Sequence, residues 1–317
     1  MGADPSRKGA RSTWRERQYR AGKVVQADGR PVDMADRKAK PVAWSAGWEI
    51  ETQHYHVTGH TAPARLLSHG AYLEALYRTY AELYEPDQMP PLKFEVHVFN
   101  LKSDFDAAAA AYGMNTVMGG GGITGGFFTP GLLSLWVYEE SGRLGGEDFS
   151  VEHVTAHECS HQFLHLACNG SAHVPTWFNE GLAVYFESGV FKNNQFSVLP
   201  PRERIARLQA IYARDKCMLT PPATYLDHHG HINADQYGEV YAMVQFFVFG
   251  TCDLGCRHKN CGRSRFREYW QALRNHDDGA KAFERIFLDD MIKTKGSRDA
   301  ALKAWEQALL AYVKRGL

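Results

Sequence analysis

His157-Glu158-Cys159-Ser160-His161 is the segment of this chain whose residue types and spacing could do chemistry. On a helix, residues four apart lie one turn apart on the same face, about 6 Å from each other. Two imidazoles so placed can grip one metal ion, and the intervening glutamate can reach a water in the ion's open position. The chemistry is that of a zinc hydrolase. Zinc lowers the pKa of its water to about 7, and a carboxylate that is not a ligand accepts the proton. The same carboxyl group can hand that proton to a leaving amine.

Catalytic zinc ordinarily takes three protein ligands. Eighteen residues separate His161 from Glu180, which stands in Pro175-Thr176-Trp177-Phe178-Asn179-Glu180-Gly181-Leu182-Ala183. The apolar residues around Glu180 suit a second, largely buried helix with Thr176 as its N-cap. A metzincin scheme is excluded, because Leu164 and Ala167 stand where it requires glycine and histidine. His153 and His165 extend the ladder of histidines four apart. His153 falls in the first turn and is expected in solvent. His165 lines the cleft or packs under the helix, with a ligand role as the alternative.

His157-Glu158-x-x-His161, the spacing to Glu180 and the run Trp177-Phe178-Asn179-Glu180-Gly181 resemble the gluzincin metallopeptidases, in particular their alanyl aminopeptidase branch. The wider chain is similar to an uncharacterised bacterial group of thermolysin-related, peptidase-like domains. The resemblance is specific over residues 153 to 188 and looser elsewhere. It implies His157, His161 and Glu180 as ligands of one Zn2+, Glu158 as catalytic base, and a peptide or protein as substrate. It also implies a tyrosine donor to the tetrahedral intermediate from a later helix. Tyr241 is the expected donor and Tyr237, one turn earlier, the second choice. Both also suit a core in which their hydroxyls find partners, and His228, His229 and His231 are alternative donors. The amine-recognition segment of the aminopeptidase branch is reduced here to Gly113-Met114-Asn115, without its glutamate. The expectation is therefore an endopeptidase. The alternatives are an aminopeptidase, another amide hydrolase on the same site, or a zinc-bearing protein that binds peptides without cleaving them.

The elements that must position these residues follow from periodicity. Residues 48 to 57, 92 to 99, Phe127-Phe128 and 132 to 138 read as strands, and the resemblance implies that an edge strand before the motif helix pairs with an extended substrate. Helical spacing runs over 64 to 84, 104 to 112 and 151 to 167, and beyond 175 the chain reads as mainly helical. Gly119 to Gly126 read as a mobile loop over the cleft. Their match to a dinucleotide fingerprint is poor, since no strand clearly precedes them and no helix follows. This order predicts an α+β fold. The resemblance implies a thermolysin-like zincin catalytic domain, with the zinc cleft between a strand-containing lobe (46 to 170) and a helical lobe (171 to 317).

Lysine and arginine balance aspartate and glutamate at 36 each, so no overall field favours nucleic acid. No apolar run reaches the length of a membrane span. Residues 1 to 45 are polar and basic and read as a loosely docked tail, or else as an arm for an acidic partner. Cys159 and Cys168 fall on opposite faces of one helix and cannot pair. Cys217, Cys252, Cys256 and Cys261 read as a disulfide-stapled hairpin, with a second metal site as the alternative. The opening residues read as no signal peptide. The resemblance nevertheless favours an extracytoplasmic or secreted protein, and the compartment stays open.

Overall fold

The computed structural model describes residues 47–86, 89–111, 125–140, 150–215, 220–249 and 261–315, together with short strand pairings of the backbone elsewhere. The chain divides into two compact units. The first comprises Met1–Leu83, Pro90–Gln162 and Val190–Ser197; the second comprises Tyr84–Met89, Phe163–Gly189 and Val198–Leu317. Sheet and helices together make the molecule α+β. No helix of the described residues is long and apolar enough to cross a membrane.

The first unit is built on a mixed sheet. Its strands are β1 (Val25–Gln26), β2 (Trp48–Glu51), β3 (Tyr55–Gly59), β4 (Phe94–Phe99), β7 (Gly126–Thr129) and β8 (Ser134–Tyr138). They lie in the order β1-β2-β3-β4-β8-β7, with β3, β4 and β8 parallel and β7 antiparallel at the edge. Two small antiparallel pairs, β5 (Val117–Met118) with β6 (Gly122–Ile123) and β9 (Arg143–Leu144) with β10 (Glu147–Asp148), stand apart from it. Sequence periodicity gives one strand over 48 to 57, whereas the structure has a hairpin. The Thr52 hydroxyl accepts the Tyr55 N–H at 3.1 Å, and the Thr52 N–H donates to the Tyr55 carbonyl at 2.9 Å. This local hydroxyl-capped turn reverses the chain where the apolar alternation changes phase, from Trp48 and Ile50 to Tyr55 and Val57.

Parallel strands need a crossover, and helix α1 (Pro63–Tyr84) carries the chain from β3 to β4. Its buried Leu66, Leu73, Leu76 and Tyr80 cover the sheet face formed by Ile50, Tyr55, Val57, Phe94 and Val96. The approach is close: a methyl group on Gly70 would stand 2.5 Å from the Ile50 side chain. Helix α2 (Lys102–Ala111) packs Phe105 and Ala108 against Phe99, Trp136 and Tyr138. Hairpin β11 (Val190–Lys192) and β12 (Gln195–Ser197) meets Tyr72 of α1 through Phe191 and Phe196. This hairpin falls between two of the helices expected beyond residue 175.

The second unit is helical. It holds α4 (Thr176–Glu187), α5 (Arg202–Asp215), α6 (Gln236–Val244, continued as a π turn over Gln245–Phe249) and α7 (Cys261–Arg274). Next come α8 (Gly279–Phe283, with a π turn over Glu284–Leu288), α9 (Asp289–Lys295) and α10 (Arg298–Arg315). Its core is aromatic: Trp177 lies 6.1 Å from Phe247, 5.8 Å from Tyr269 and 5.6 Å from Phe283, between ring centroids. Cys217, Cys252 and Cys256 of the cysteine cluster, the segment Gly113-Met114-Asn115 and nearly all of residues 1 to 45 lie outside the described residues. So do residues 119–121 and 124 of the glycine-rich stretch.

Candidate metal centre

Helix α3 (Val151–Ala167) carries the motif, and residues up to Gln162 belong to the first unit. His157, Glu158 and His161 are half-buried, and one potential ligand atom from each lies within 4.8 Å of the others. The two imidazole centroids are 4.9 Å apart with the rings at 80°. Two nitrogens on one tetrahedral zinc stand about 3.3 Å apart, given Zn–N bonds of about 2.0–2.1 Å. The chemistry and spacing of this donor set therefore fit a divalent ion. It is the one such group of histidine, cysteine and carboxylate ligands among the described residues.

Three sets of hydrogen bonds hold this part of the helix. The hydroxyls of Tyr72 and Tyr80, on α1, donate to the carbonyls of Glu152 (2.7 Å) and Ala156 (2.6 Å). Gln162, fully buried beside His161, donates its amide to the carbonyls of Glu95 (3.0 Å) and Leu133 (3.2 Å). Arg65 bridges Glu152, in the first turn, to Glu139 at the end of β8, each at 2.6 Å. Burial alone raises the Glu139 carboxyl, but hydrogen bonds from His69, Thr61 and Arg65 outweigh it and hold the group down at about 2.

Glu158 has a partner that the motif does not announce. Its Oε2 accepts the backbone N–H of Phe128, on edge strand β7, at 2.8 Å. One helical turn earlier, Val154 lies over Gly126 of the same strand. A methyl group added there would stand 2.8 Å from Val154 Cγ1 and 2.6 Å from the Trp136 carbonyl oxygen. The glycine thus lets the 154/158 face of the helix approach the strand.

The remaining histidines and the cysteine of the motif helix are accounted for locally. His153 is exposed, as expected. His165 Nδ1 accepts the Ser171 N–H at 3.2 Å and lies 3.0 Å from its hydroxyl, and burial lowers its pKa. Cys159 is fully buried and its thiol is pushed well up by burial, so it behaves as a small packing residue. Cys159 and Cys168 are both free, as helix geometry requires.

Glu180, Tyr237 and Tyr241 belong to the second unit. Glu180 is half-buried on α4, whose other faces are apolar. Gly181 has a packing reason: a methyl group there would stand 2.5 Å from the Val240 carbonyl oxygen on α6. Thr176 does not cap the helix. Pro175 occupies that position, and the Thr176 hydroxyl instead donates to the Gly230 carbonyl at 2.9 Å. A nearby carbonyl outside the helix competes successfully for the hydroxyl.

Tyr241 is buried, and its oxygen accepts the Gln245 amide at 2.9 Å. It lines a cavity of about 390 Å³ with Arg202, Gln209, Gln245 and Tyr312, and burial raises its pKa. The Tyr237 ring lies beneath the Arg204 guanidinium, 5.1 Å from its centroid. His228 Nε2 is 3.3 Å from the His231 carbonyl, and His229 faces Asp227 at 4.0 Å. Sequence reasoning did not find Phe128, Gly126 and Gln162, which act through backbone contacts. No family profile and no curated protein sequence matches the chain.

Proposed function

We propose that this chain is a zinc-dependent peptidase of gluzincin type, acting as an endopeptidase on a thermolysin-like catalytic domain. The observation that carries the reading is the convergence of His157, Glu158 and His161 on one helix face, with ligand atoms within 4.8 Å. His157 and His161 hold the ion. The third ligand, Glu180, rests on the sequence spacing from His161 and on its resemblance to the gluzincin pattern. An antiparallel edge strand immediately before the motif helix also supports the reading, since an extended peptide can add to such an edge.

A bound zinc ion supplies a Lewis acid and a water acidic enough to ionise near neutral pH. Glu158 then takes a proton from the attacking water and delivers it to the departing amine nitrogen. Its place beside the first histidine, with a ligand atom within 4.8 Å of those of His157 and His161, brings the carboxylate within reach of that water. A retained carboxylate also favours catalysis over a purely binding role, because a peptide binder has no use for a base there.

The test is cleavage of a diverse peptide set by purified protein, with and without chelator, alongside Glu158→Gln. Internal cleavage that chelator abolishes is expected, and Glu158→Gln should reduce it by about 10²- to 10⁴-fold while zinc stays bound. Cleavage confined to free amino termini would replace the endopeptidase reading with an aminopeptidase. Zinc uptake without any cleavage would leave only a binder.

A further inference from the structure

Resting on the peptidase reading, we infer that the backbone N–H of Phe128 is a positioning group for the catalytic carboxylate of Glu158. The 2.8 Å hydrogen bond is charge-assisted, of the kind that fixes a carboxylate's rotamer as well as its place. Glutamate has three side-chain torsions. Without a second anchor, its carboxyl group on a half-buried helix face samples several rotamers, few of them aimed at the ion. With one oxygen held by the strand, the carboxylate is fixed while an oxygen of the same group stays within 4.8 Å of imidazole ligand atoms of His157 and His161.

The strand presents this N–H because of its register. Phe128 pairs with Leu135 in the antiparallel β7–β8 ladder, and its N–H points away from β8 toward the helix. Gly126, two residues earlier and on the same side, admits Val154 and so sets the distance at which Glu158 meets the strand. The edge strand thus has a duty besides receiving an extended ligand. Because an amide carries one proton, a peptide adding to this edge must pair with groups other than the Phe128 N–H.

The decisive change removes that proton while keeping the side chain. Replacing Phe128 by its α-hydroxy analogue, phenyllactate, turns the 127–128 amide into an ester and keeps the ring and the extended geometry. For a peptide that the wild type cleaves, kcat should fall about 10- to 100-fold. KM and zinc stoichiometry should be unchanged. A kcat within twofold of wild type overturns the inference, and so does loss of zinc in step with activity, which marks a merely structural contact. A second readout needs neither turnover nor the ester. The Phe128 amide proton resonance, followed by 15N labelling, should move upfield in Glu158→Ala, and an unmoved resonance overturns the inference. Absence of metal-dependent cleavage by the wild type defeats the peptidase reading itself. Cleavage by the wild type with an undiminished ester variant defeats only the role of Phe128.

Discussion

Two helices carry the residues of the proposed site, and they are held by opposite means. Helix α3 bears four histidines and two glutamates in Val151–Ala167, and the side chains it buries within the first unit are mostly small or polar: Val151, Thr155, Ala156, Cys159, Ser160 and Gln162. Its neighbours in the first unit fix it with directional bonds: Tyr72 and Tyr80 on its carbonyls, Gln162 on the sheet, Arg65 on Glu152 and the Phe128 N–H on Glu158. Helix α4, in the second unit, buries Trp177, Phe178, Gly181, Leu182, Ala183, Val184 and Phe186. It is held by shape. Apolar packing supplies most of a helix's stability, whereas hydrogen bonds specify its rotation and axial position with little net energy each. A helix that must aim two imidazoles and a carboxylate at one point needs the second kind of hold.

The sharpest way to break this contrast is Trp177→Ala. The ring is fully buried among Phe178, Phe247, Tyr269 and Phe283. Its truncation should cost about 3–5 kcal/mol in chemical denaturation. A loss under about 1 kcal/mol would mean that α4 does not depend on this packing and would remove one side of the comparison.

Acid should act on the other side. The Glu139 carboxyl is held at about 2, against burial, by His69, Thr61 and Arg65, and Glu152 and Glu74 are also lowered by their partners. A folded-state pKa below the unfolded value of 4.5 gives stability that is fully present above 4.5. It is lost as pH falls through the interval from 4.5 toward 2. His56 has the opposite sign. Burial lowers it, but hydrogen bonds to Glu49 and Glu95 raise it to about 9, so its contribution holds below 6.5 and fades as pH rises through about 9. Urea unfolding of wild type should weaken between pH 6 and pH 3, and Glu139→Gln should show a smaller loss over the same interval. Equal losses in the two proteins would detach this network from the acid response.

The same contrast explains what the sequence discloses. Helices α1, α3, α4 and α10 are legible because their apolar period is local, and His157-Glu158-x-x-His161 is legible because one helical turn brings its members together. The hairpin at Thr52 shows only as a change of phase, from Trp48 and Ile50 to Tyr55 and Val57, and the turn that makes the change rests on Thr52. The buried polar face of the sheet, with Glu49, His56, Glu95 and His97, is hidden for another reason. Alternation marks those residues as outward, and only their pairing across β2, β3 and β4 lets them be buried. Phe128 and Gly126 act through strand register, which no local pattern encodes. The directional holds on α3 are the part of the site that sequence shows least.

Gln162 tests those holds with the smallest change in stability. Its amide serves the carbonyls of Glu95 and Leu133, one from each of two parallel-strand regions, in the turn that carries His161. Gln162→Leu keeps the volume and removes both donors, leaving two carbonyls buried without their amide partner. The expected cost is about 1–3 kcal/mol in denaturation. If these bonds chiefly aim the helix, the effect on the metal should be disproportionate. Zinc affinity, measured by competition with a chromophoric chelator, should fall at least about tenfold, in the range seen when groups that orient metal ligands are removed. Trp177→Ala, compared at equal fractions folded, serves as the counterpart for apolar packing. A Gln162→Leu protein that loses stability but binds zinc as wild type does would show that the bonds stabilise without aiming, and the two helices would then differ in chemistry alone.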